Sequence, residues 1–317
     1  MSYVGIQTQQ RRNNLRSTVL LLFFPVLVLV LSYVVYLFAF AGHLEKGIFN
    51  TYILLDFAVN FAPWVIAFVG VWFLIAYWSN TTIINSAVGS KPLERKENMR
   101  VYNLVENLCM QTGMKMPKVN IIYDNSLNAF ASGINEKTYT VTLTEGIIQK
   151  LNDEELKGVI AHELMHIRNR DVRVLVISIV FVGLFAMISQ MGFRMMLFSN
   201  RGRGGGNSKN NGQAVIMLIV VLVSLVGYFC TILMKFAISR KREYMADAGA
   251  AEMTKNPRAL ASALRKISGN PEVAGVSRDD IAQLFIEHSL SGKKSFMSNL
   301  FATHPPIQKR ITVLENF

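Results

Sequence analysis

The pentapeptide HELMH, residues 162–166, combines side chains that can bind a metal ion and move a proton. On a helix, His162 and His166 lie one turn apart on the same face, so both imidazoles can bind one Zn²⁺ at about 2.0–2.1 Å. Glu163 can then accept a proton from a water molecule whose pKa the zinc has lowered toward about 7. The pattern predicts metal-assisted hydrolysis with Glu163 as general base, and a surface helix with incidental histidines is the alternative.

A catalytic zinc site needs a third protein ligand and an open fourth position. The segment RKREYMADAGAAE, residues 240–252, offers Glu243 and Asp247, which share a helix face because they are four residues apart. We predict that Glu243 completes a His₂Glu site for one Zn²⁺ per chain, the choice of zinc resting on ligand type. Asp247 is predicted to accept the ring N–H of a ligating histidine. Otherwise Glu243 would only pair with Arg240 or Lys241 on a solvated face.

The helix that carries HELMH has a clear start. Asn152 can cap its N-terminus, and the acidic residues 153–155 suit the positive end of the helix dipole. Upstream, apolar spacing predicts a helix over 97–113. Short β-branched segments predict strands over 118–124 and 139–144, and NAFASG at 128–133 could be an edge strand between them. Downstream, helices are predicted over 256–268, with Asn256 as cap and Pro257 in the first turn, and over 305–317.

Four apolar runs, nearly free of charged residues, are long enough to cross a bilayer as helices, since about 20 residues suffice. They cover residues 18–41, 57–78, 172–193 and 214–238. The first run is too long for the apolar part of a signal peptide, which has about 7–15 residues, and is predicted to be an uncleaved anchor. The last two runs could instead form a hairpin that is buried in protein or lies partly in the bilayer.

Composition and charge also point to a membrane. Only 17% of the residues are charged, against about 25% in ordinary soluble proteins. The net charge of +12 suits anionic headgroups, and nucleic acid is not expected as a partner because no compact basic patch with interleaved aromatics occurs. The two cysteines, Cys109 and Cys230, form no CxxC motif and predict no disulfide framework.

Positive charge predicts the orientation of the chain. Arg11, Arg12 and Arg16 precede the first run and favour a cytoplasmic N-terminus. After two crossings, residues 79–171 return to the cytoplasm with HELMH among them. The connector over 200–213 also carries positive charge, which opposes a crossing by the last two runs.

Together these patterns predict an α+β, mostly helical, integral membrane protein with four apolar helices and a zincin-type, gluzincin-like catalytic domain that contains a small β-sheet. The predicted order is a cytoplasmic N-terminal segment over 1–17, transmembrane helices over 18–41 and 57–78, the first part of the catalytic domain over 79–171, an apolar helical hairpin over 172–238 and the second part of the catalytic domain over 239–317.

These motifs resemble the HtpX family of bacterial membrane zinc metallopeptidases, which is distantly similar to the CAAX prenyl protease. Two N-terminal spans, NAFASG, AHELMHIRNRD, an apolar hairpin, KREYMADAGA and FATHPPIQKRI occur in the family's order and cover essentially the whole chain. The resemblance implies zinc ligation by His162, His166 and Glu243. It also implies that Glu163 is the general base and that Asp247 lies behind the ligands.

Further roles are implied by the resemblance alone. Substrate binding is implied for Asn128, Ala129 and Phe130, although the sequence by itself favours an ordinary turn asparagine at position 128.

Catalytic roles are implied for His304 and Arg310, as groups that steady the oxyanion during peptide hydrolysis. In the alternative, His304 only caps the last helix and Arg310 pairs with Glu315. His43 and His288 match no family motif.

The resemblance implies a zinc-dependent endopeptidase that hydrolyses peptide bonds in misfolded or damaged membrane proteins, in quality control and stress response. It would be a multi-pass protein of the bacterial plasma (inner) membrane with its active site facing the cytoplasm, and its partners would be membrane-protein or peptide substrates and the lipid bilayer. One alternative is a CAAX-type prenyl protein endopeptidase, which is expected to have a larger cage of spans. Another is a non-catalytic zinc-binding membrane scaffold or sensor, which would not need Glu163.

Overall fold

The computed structural model describes residues 6–39, 51–201, 210–268 and 305–317. Helices make up most of it, together with one small sheet, so the prediction of a mostly helical chain with a small sheet is confirmed. The helices are α1 (Ile6–Ala39), α2 (Thr51–Asp56), α3 (Ala62–Val88), α4 (Met99–Thr112), α5 (Glu145–Lys150), α6 (Asp153–Arg168), α7 (Asp171–Arg201), α8 (Asn210–Thr254), α9 (Pro257–Ile267) and α10 (Ile307–Glu315). The strands are β1 (Lys91–Pro92), β2 (Lys118–Ile122), β3 (Ala129–Ser132) and β4 (Thr140–Thr144).

The chain divides into two compact units. The first unit comprises Met1–Ser17, Ser79–Ile177 and Lys235–Phe317, and the second comprises Thr18–Trp78 and Ser178–Met234. All four strands belong to the first unit.

The sheet of the first unit has the strand order β1-β2-β4-β3. β2 and β4 are parallel, with Lys118 opposite Thr140, whereas β1 and β3 run antiparallel to their neighbours. Every residue of β3 and β4 is buried, as expected for strands covered on both faces. Because β3 is the last strand in this order, NAFASG supplies an edge strand, as predicted. The two-residue strand β1 was not predicted.

Helix α6 packs against β3 and β4 and begins with a capping box. The Asn152 side chain accepts a hydrogen bond from the Glu155 N–H at 2.9 Å, and the Glu155 carboxylate accepts one from the Asn152 N–H at 3.0 Å. The same carboxylate accepts bonds from Ser262 and Lys266 of α9, both at 2.7 Å. The predicted cap at Asn152 is confirmed, and Glu155 also joins α6 to α9.

Helix α9 packs closely on α6, and α10 packs on α9. At the crossing of α6 and α9 the small residue Gly158 allows a close approach, since a Cβ there would lie 3.2 Å from the Leu260 Cα, tighter than most Cβ contacts. The Asn256 side chain accepts a hydrogen bond from Ala259 N–H, with Pro257 at the first helical position. The predicted start of α9 is thus confirmed.

Only two residues separate α6 from α7. Arg170 makes this turn with a φ of 60°, a left-handed conformation that disfavours a side chain by about 1–2 kcal/mol. The turn lets α7 begin at Asp171, directly after the metal-binding segment.

The second unit consists of apolar helical segments. Phe24 of α1 stacks on Phe181 of α7 with ring centroids 4.2 Å apart. Gly227 of α8 lies against the Phe185 ring of α7, where a Cβ would be 2.5 Å away, so α7 and α8 contact each other as a hairpin requires. Between α2 and α3 the chain forms a π-helical turn over Phe57–Phe61.

Two of the four predicted spans are long and apolar enough in the described residues to cross a membrane. They are Thr51–Ser79 and Asp171–Arg194, with mean hydropathies of 2.0 and 2.5. The corresponding stretches in α1 and α8 are shorter, Leu21–Leu37 and Met217–Ile232. The described part of the chain therefore contains two candidate membrane-spanning helices instead of the four predicted.

Candidate metal centre

Three potential ligand atoms converge between α6 and α8 in the first unit. The Nε2 atoms of His162 and His166 are 3.2 Å apart. The Glu243 carboxylate lies 3.6 Å from His162 Nε2 through one oxygen and 3.4 Å from His166 Nε2 through the other. Ligands bound tetrahedrally at about 2.0–2.1 Å are about 3.3–3.4 Å from one another. These separations, and the pairing of two imidazoles with one carboxylate, fit a divalent metal ion.

The second nitrogen of each histidine faces a carboxylate. His162 Nδ1 lies 2.9 Å from an Asp247 oxygen, and His166 Nδ1 lies 3.2 Å from an Asp171 oxygen. When each Nδ1–H donates to its carboxylate, each Nε2 is left with a lone pair directed at the shared site. Asp171 was not among the predicted site residues. The only sequence signal for this contact was the position of Asp171 five residues after His166. That spacing does not predict the contact unless the turn at Arg170 is known.

Glu243 is brought to this site by α8. Its side chain is buried, at 6% exposure, which excludes the alternative of a solvated face. Besides the two imidazoles, its carboxylate lies 3.2 Å from the Arg310 guanidinium. Helix α8 therefore places Glu243 beside HELMH.

Arg310 of α10 is fully buried, at 1% exposure. Its guanidinium donates two hydrogen bonds to Asp247, at 2.8 Å and 2.7 Å, in the bidentate geometry that arginine and carboxylate favour. The alternative pairing of Arg310 with Glu315 is wrong, because Glu315 pairs with Arg265 on the surface. Arg310 therefore contacts the carboxylates behind and beside the histidines.

The other residues with implied catalytic or substrate roles are placed differently. His304, like His43 and His288, lies outside the described residues. Asn128, Ala129 and Phe130 are almost completely buried at the start of β3, where the Asn128 N–H donates to Thr144 Oγ1 at 3.0 Å. Their role in substrate binding stays a prediction, and with the Phe130 side chain in the core it would fall to the backbone of the edge strand.

Glu163 is buried at 3% exposure, and burial raises its pKa. The imidazoles of His162 and His166 and the Arg310 guanidinium act in the opposite direction. A carboxylate whose proton affinity is raised in this way is a stronger base than one in water.

Charge pairing dominates the other titratable groups of the site. Burial alone would lower the pKa of His166, but hydrogen bonds to Asp171 and Glu243 raise it to about 10. Burial would likewise raise the pKa of Asp247, but Arg310 and His162 lower it to about 2. Asp247 therefore stays charged at neutral pH and favours positive charge on the neighbouring imidazole of His162.

Comparisons with known proteins identify the family of the chain. The family model for Peptidase family M48 matches residues 95–317. A Protease HtpX homolog from Bacteroides fragilis is 61% identical over 323 residues and covers 100% of both chains. Another Protease HtpX homolog, from Ligilactobacillus salivarius, is 33% identical over 309 residues, covering 97% of this chain and 99% of the relative.

A solved structure shares the fold. The crystal structure of S. mikatae Ste24p matches with a TM-score of 0.51 and 20% identity over 88% of this chain. This chain spans only 64% of the length of that one, and at this identity the likeness concerns the fold alone.

Two histidines flanking a glutamate on one helix, completed by a carboxylate from a second helix, define a metal-dependent peptidase. The chain belongs to peptidase family M48, among the HtpX proteases. It is therefore a metalloprotease, and the alternative of a non-catalytic scaffold or sensor is not supported.

Proposed function

We propose that this metalloprotease is a zinc-dependent endopeptidase that cleaves misfolded or damaged membrane proteins in quality control and stress response. One Zn²⁺ per chain would be held by His162, His166 and Glu243. The observation that carries the proposal is the convergence of the two Nε2 atoms, 3.2 Å apart, with the Glu243 carboxylate, whose two oxygens lie 3.6 Å from His162 Nε2 and 3.4 Å from His166 Nε2. The carboxylate of Glu163, on the same helix as the histidines, is also buried.

Bound zinc would act as a Lewis acid on the scissile carbonyl and make a water molecule more acidic. Glu163 accepts a proton on its carboxylate from the attacking water and delivers it to the nitrogen of the leaving amine. Asp247 and Asp171 hold the two imidazoles in the tautomer that presents Nε2. Arg310 holds Asp247 and balances its charge.

For the oxyanion we propose His304 as donor and Arg310 as a nearby positive charge. Since both nitrogens that Arg310 directs at Asp247 are engaged, its contribution would be electrostatic rather than a direct hydrogen bond. For the substrate we propose pairing of an extended peptide with the edge strand β3, with Asn128, Ala129 and Phe130 shaping that edge.

We further propose a multi-pass protein of the bacterial inner membrane, with four spans and the active site facing the cytoplasm. The two candidate spans support membrane insertion, and in the first of them the side chains Trp64 and Trp78 are 77% and 76% exposed. The Arg170 guanidinium donates to Asn14 at 2.9 Å. This contact supports an N-terminal segment on the same side as the metal centre.

The test of activity is cleavage of a detergent-solubilised, unfolded membrane protein by the full chain with added zinc. Glu163→Gln should retain one zinc per chain, because all three ligands remain, but lose about 10²–10⁴-fold in rate. Glu252→Gln, at an exposed position of α8, is the matched control and should cleave like the native chain. Equal cleavage by the Glu163 variant would refute the assigned base.

A farnesylated peptide with a C-terminal CAAX sequence serves as the comparison substrate. Preference for that peptide over the unfolded membrane protein would replace quality control with prenyl-protein processing. The location is tested separately. The chain should resist alkaline extraction from membranes. A reporter that is active only when it folds in the cytoplasm should be active when it is fused after Phe317.

A further inference from the structure

The first unit contains a cavity of about 750 Å³ whose lining includes none of the three proposed metal ligands. Three segments form it: the end of α4 with the turn that follows, the loop before β4, and the turn between α6 and α7. Five basic side chains and one acidic side chain line this cavity, which is called the basic cavity below. The charged lining residues are Lys115, Glu136, Lys137, Arg168, Arg170 and Arg173.

The positive charge of the basic cavity is poorly balanced within the described residues. Among them, Lys137, Arg170 and Arg173 take part in no ion pair. The Nε atom of Arg173 is buried and has no hydrogen-bond partner in that part of the chain. Like charges held together at a partly buried site repel each other, so an anion bound among them would relieve that repulsion.

The basic cavity lies where the chain enters its apolar helices. Arg173 is in the first turn of Asp171–Arg194, a segment long and apolar enough to cross a membrane. Arg170 contacts Asn14, which precedes the apolar run beginning at Thr18 by four residues. Two segments leading into apolar helices therefore meet at the edge of the cavity, as expected for a site at the level of lipid headgroups.

We propose that the basic cavity binds the phosphate-bearing headgroup of an anionic phospholipid. The planar guanidinium groups can each donate two parallel hydrogen bonds to phosphate oxygens. The volume falls within the range of about 300–1,000 Å³ that is usual for ligand sites, and basic pockets on the cytoplasmic side of membrane helices bind such headgroups.

Free inorganic phosphate presents the same chemistry, but the adjoining apolar helix favours a ligand that also carries acyl chains. The proposal rests on the proposed membrane location and is independent of the peptidase reaction.

The test uses the full chain, delipidated in a neutral detergent, and measures calorimetric binding of three probes. The probes are dioctanoyl phosphatidylglycerol, dioctanoyl phosphatidylcholine and inorganic phosphate. The cavity variant is Lys137→Gln with Arg173→Gln, and the matched control is Lys150→Gln with Arg258→Gln, which removes two exposed basic groups elsewhere in the first unit.

We expect the anionic lipid to bind the native chain at least about tenfold more tightly than either of the other probes. The cavity variant should bind it about thirtyfold more weakly, because two cations near an anionic headgroup are lost, and the control should stay within about twofold. A second pair, Lys115→Glu with Lys137→Glu, alters only exposed side chains and should weaken binding further without touching the turn between α6 and α7.

Equal binding by the cavity and control variants would overturn the site. Phosphate that binds as tightly as the anionic lipid would overturn the lipid as ligand. None of these measurements requires zinc or turnover. A chain that binds the lipid but does not cleave protein would therefore refute only the peptidase proposal.

Discussion

The two sides of the metal centre are assembled in contrasting ways. Helix α6 contributes His162, Glu163 and His166 from five consecutive positions, where helical periodicity alone sets their spacing. The opposite side receives Glu243 from α8 and Arg310 from α10, which reach the site only through the packing of remote segments. The local side therefore depends on a single helix, whereas the remote side depends on buried charges that must balance one another.

The largest effect is expected from a change at the remote ligand. Glu243→Gln removes the anionic ligand and leaves two imidazoles, so bound zinc and cleavage should both be lost. Metal content of the purified chain, measured together with its activity, provides the check. If the variant holds one zinc per chain and cleaves normally, the third ligand lies elsewhere.

The buried charges of the remote side should matter more than a matched pair on the surface. Arg310→Met removes the guanidinium that pairs with the buried carboxylates of Asp247 and Glu243, and should destabilise the chain by about 3–5 kcal/mol. Arg265→Met breaks the exposed pair with Glu315 and should lower stability by only about 0–1 kcal/mol. Chemical denaturation in detergent measures both. Similar losses of stability in the two variants would mean that the buried ion pairs of Arg310 do not stabilise the remote side more than a surface pair does.

The carboxylates behind the histidines should tune metal affinity without providing it. Asp171→Asn weakens the acceptor for His166 Nδ1–H and should lower zinc affinity about 10–100-fold. Competition with a chelating dye measures the change. Asp153→Asn, at an exposed position of α6, is the control, and an unchanged affinity in the Asp171 variant would leave His166 oriented by other contacts.

Protons should compete with the metal. Without metal, His166 has a pKa of about 10, raised above about 6.5 in the unfolded chain. Its contribution to the stability of the metal-free chain is therefore complete below pH 6.5 and is lost as the pH rises toward 10. Zinc needs the neutral imidazole, so zinc affinity should rise by up to about tenfold per pH unit across that window for each proton released. Calorimetry in buffers of different ionisation enthalpy counts the protons, and a pH-independent affinity would contradict the prediction.

A change at the junction of α6 and α9, which supports both sides, should lower stability less than the loss of Arg310. Glu155 is buried and hydrogen-bonded to Ser262 and Lys266, and these contacts lower its pKa although burial opposes them. Glu155→Gln should destabilise the chain by about 1.5–3 kcal/mol at neutral pH, compared with about 0.5 kcal/mol or less for the exposed neighbour Glu154→Gln.

The sign of the pH dependence at Glu155 follows from its lowered pKa. The stabilisation is present above the unfolded pKa of about 4.3 and is lost as the pH falls through the lower folded value. Native and Glu155→Gln chains should therefore converge in stability in acid, and a gap that persists there would assign the loss to packing instead of charge.

Several features could be predicted because they depend on neighbouring residues. The caps at Asn152 and Asn256 act within one helical turn. The strands containing Val119 and Val141 could be predicted from their content of β-branched residues. The two-residue strand β1 was missed, since its Lys91–Pro92 sequence favours no strand by itself.

Asp171 was missed for a different reason. Its contact with His166 depends on the left-handed turn at Arg170, a conformation that residues other than glycine seldom adopt.

The sequence by itself determined which residues of α6 can bind a metal ion and activate a water molecule, because a helix places the two histidines of HELMH on the same face as soon as it forms. It also determined that long apolar segments separate HELMH from Glu243. Only the tertiary structure decided that Arg310 pairs with Asp247 instead of Glu315. Partners of a buried charge are selected by which segments pack together and exclude water, and the positions of the charges along the chain do not encode that choice.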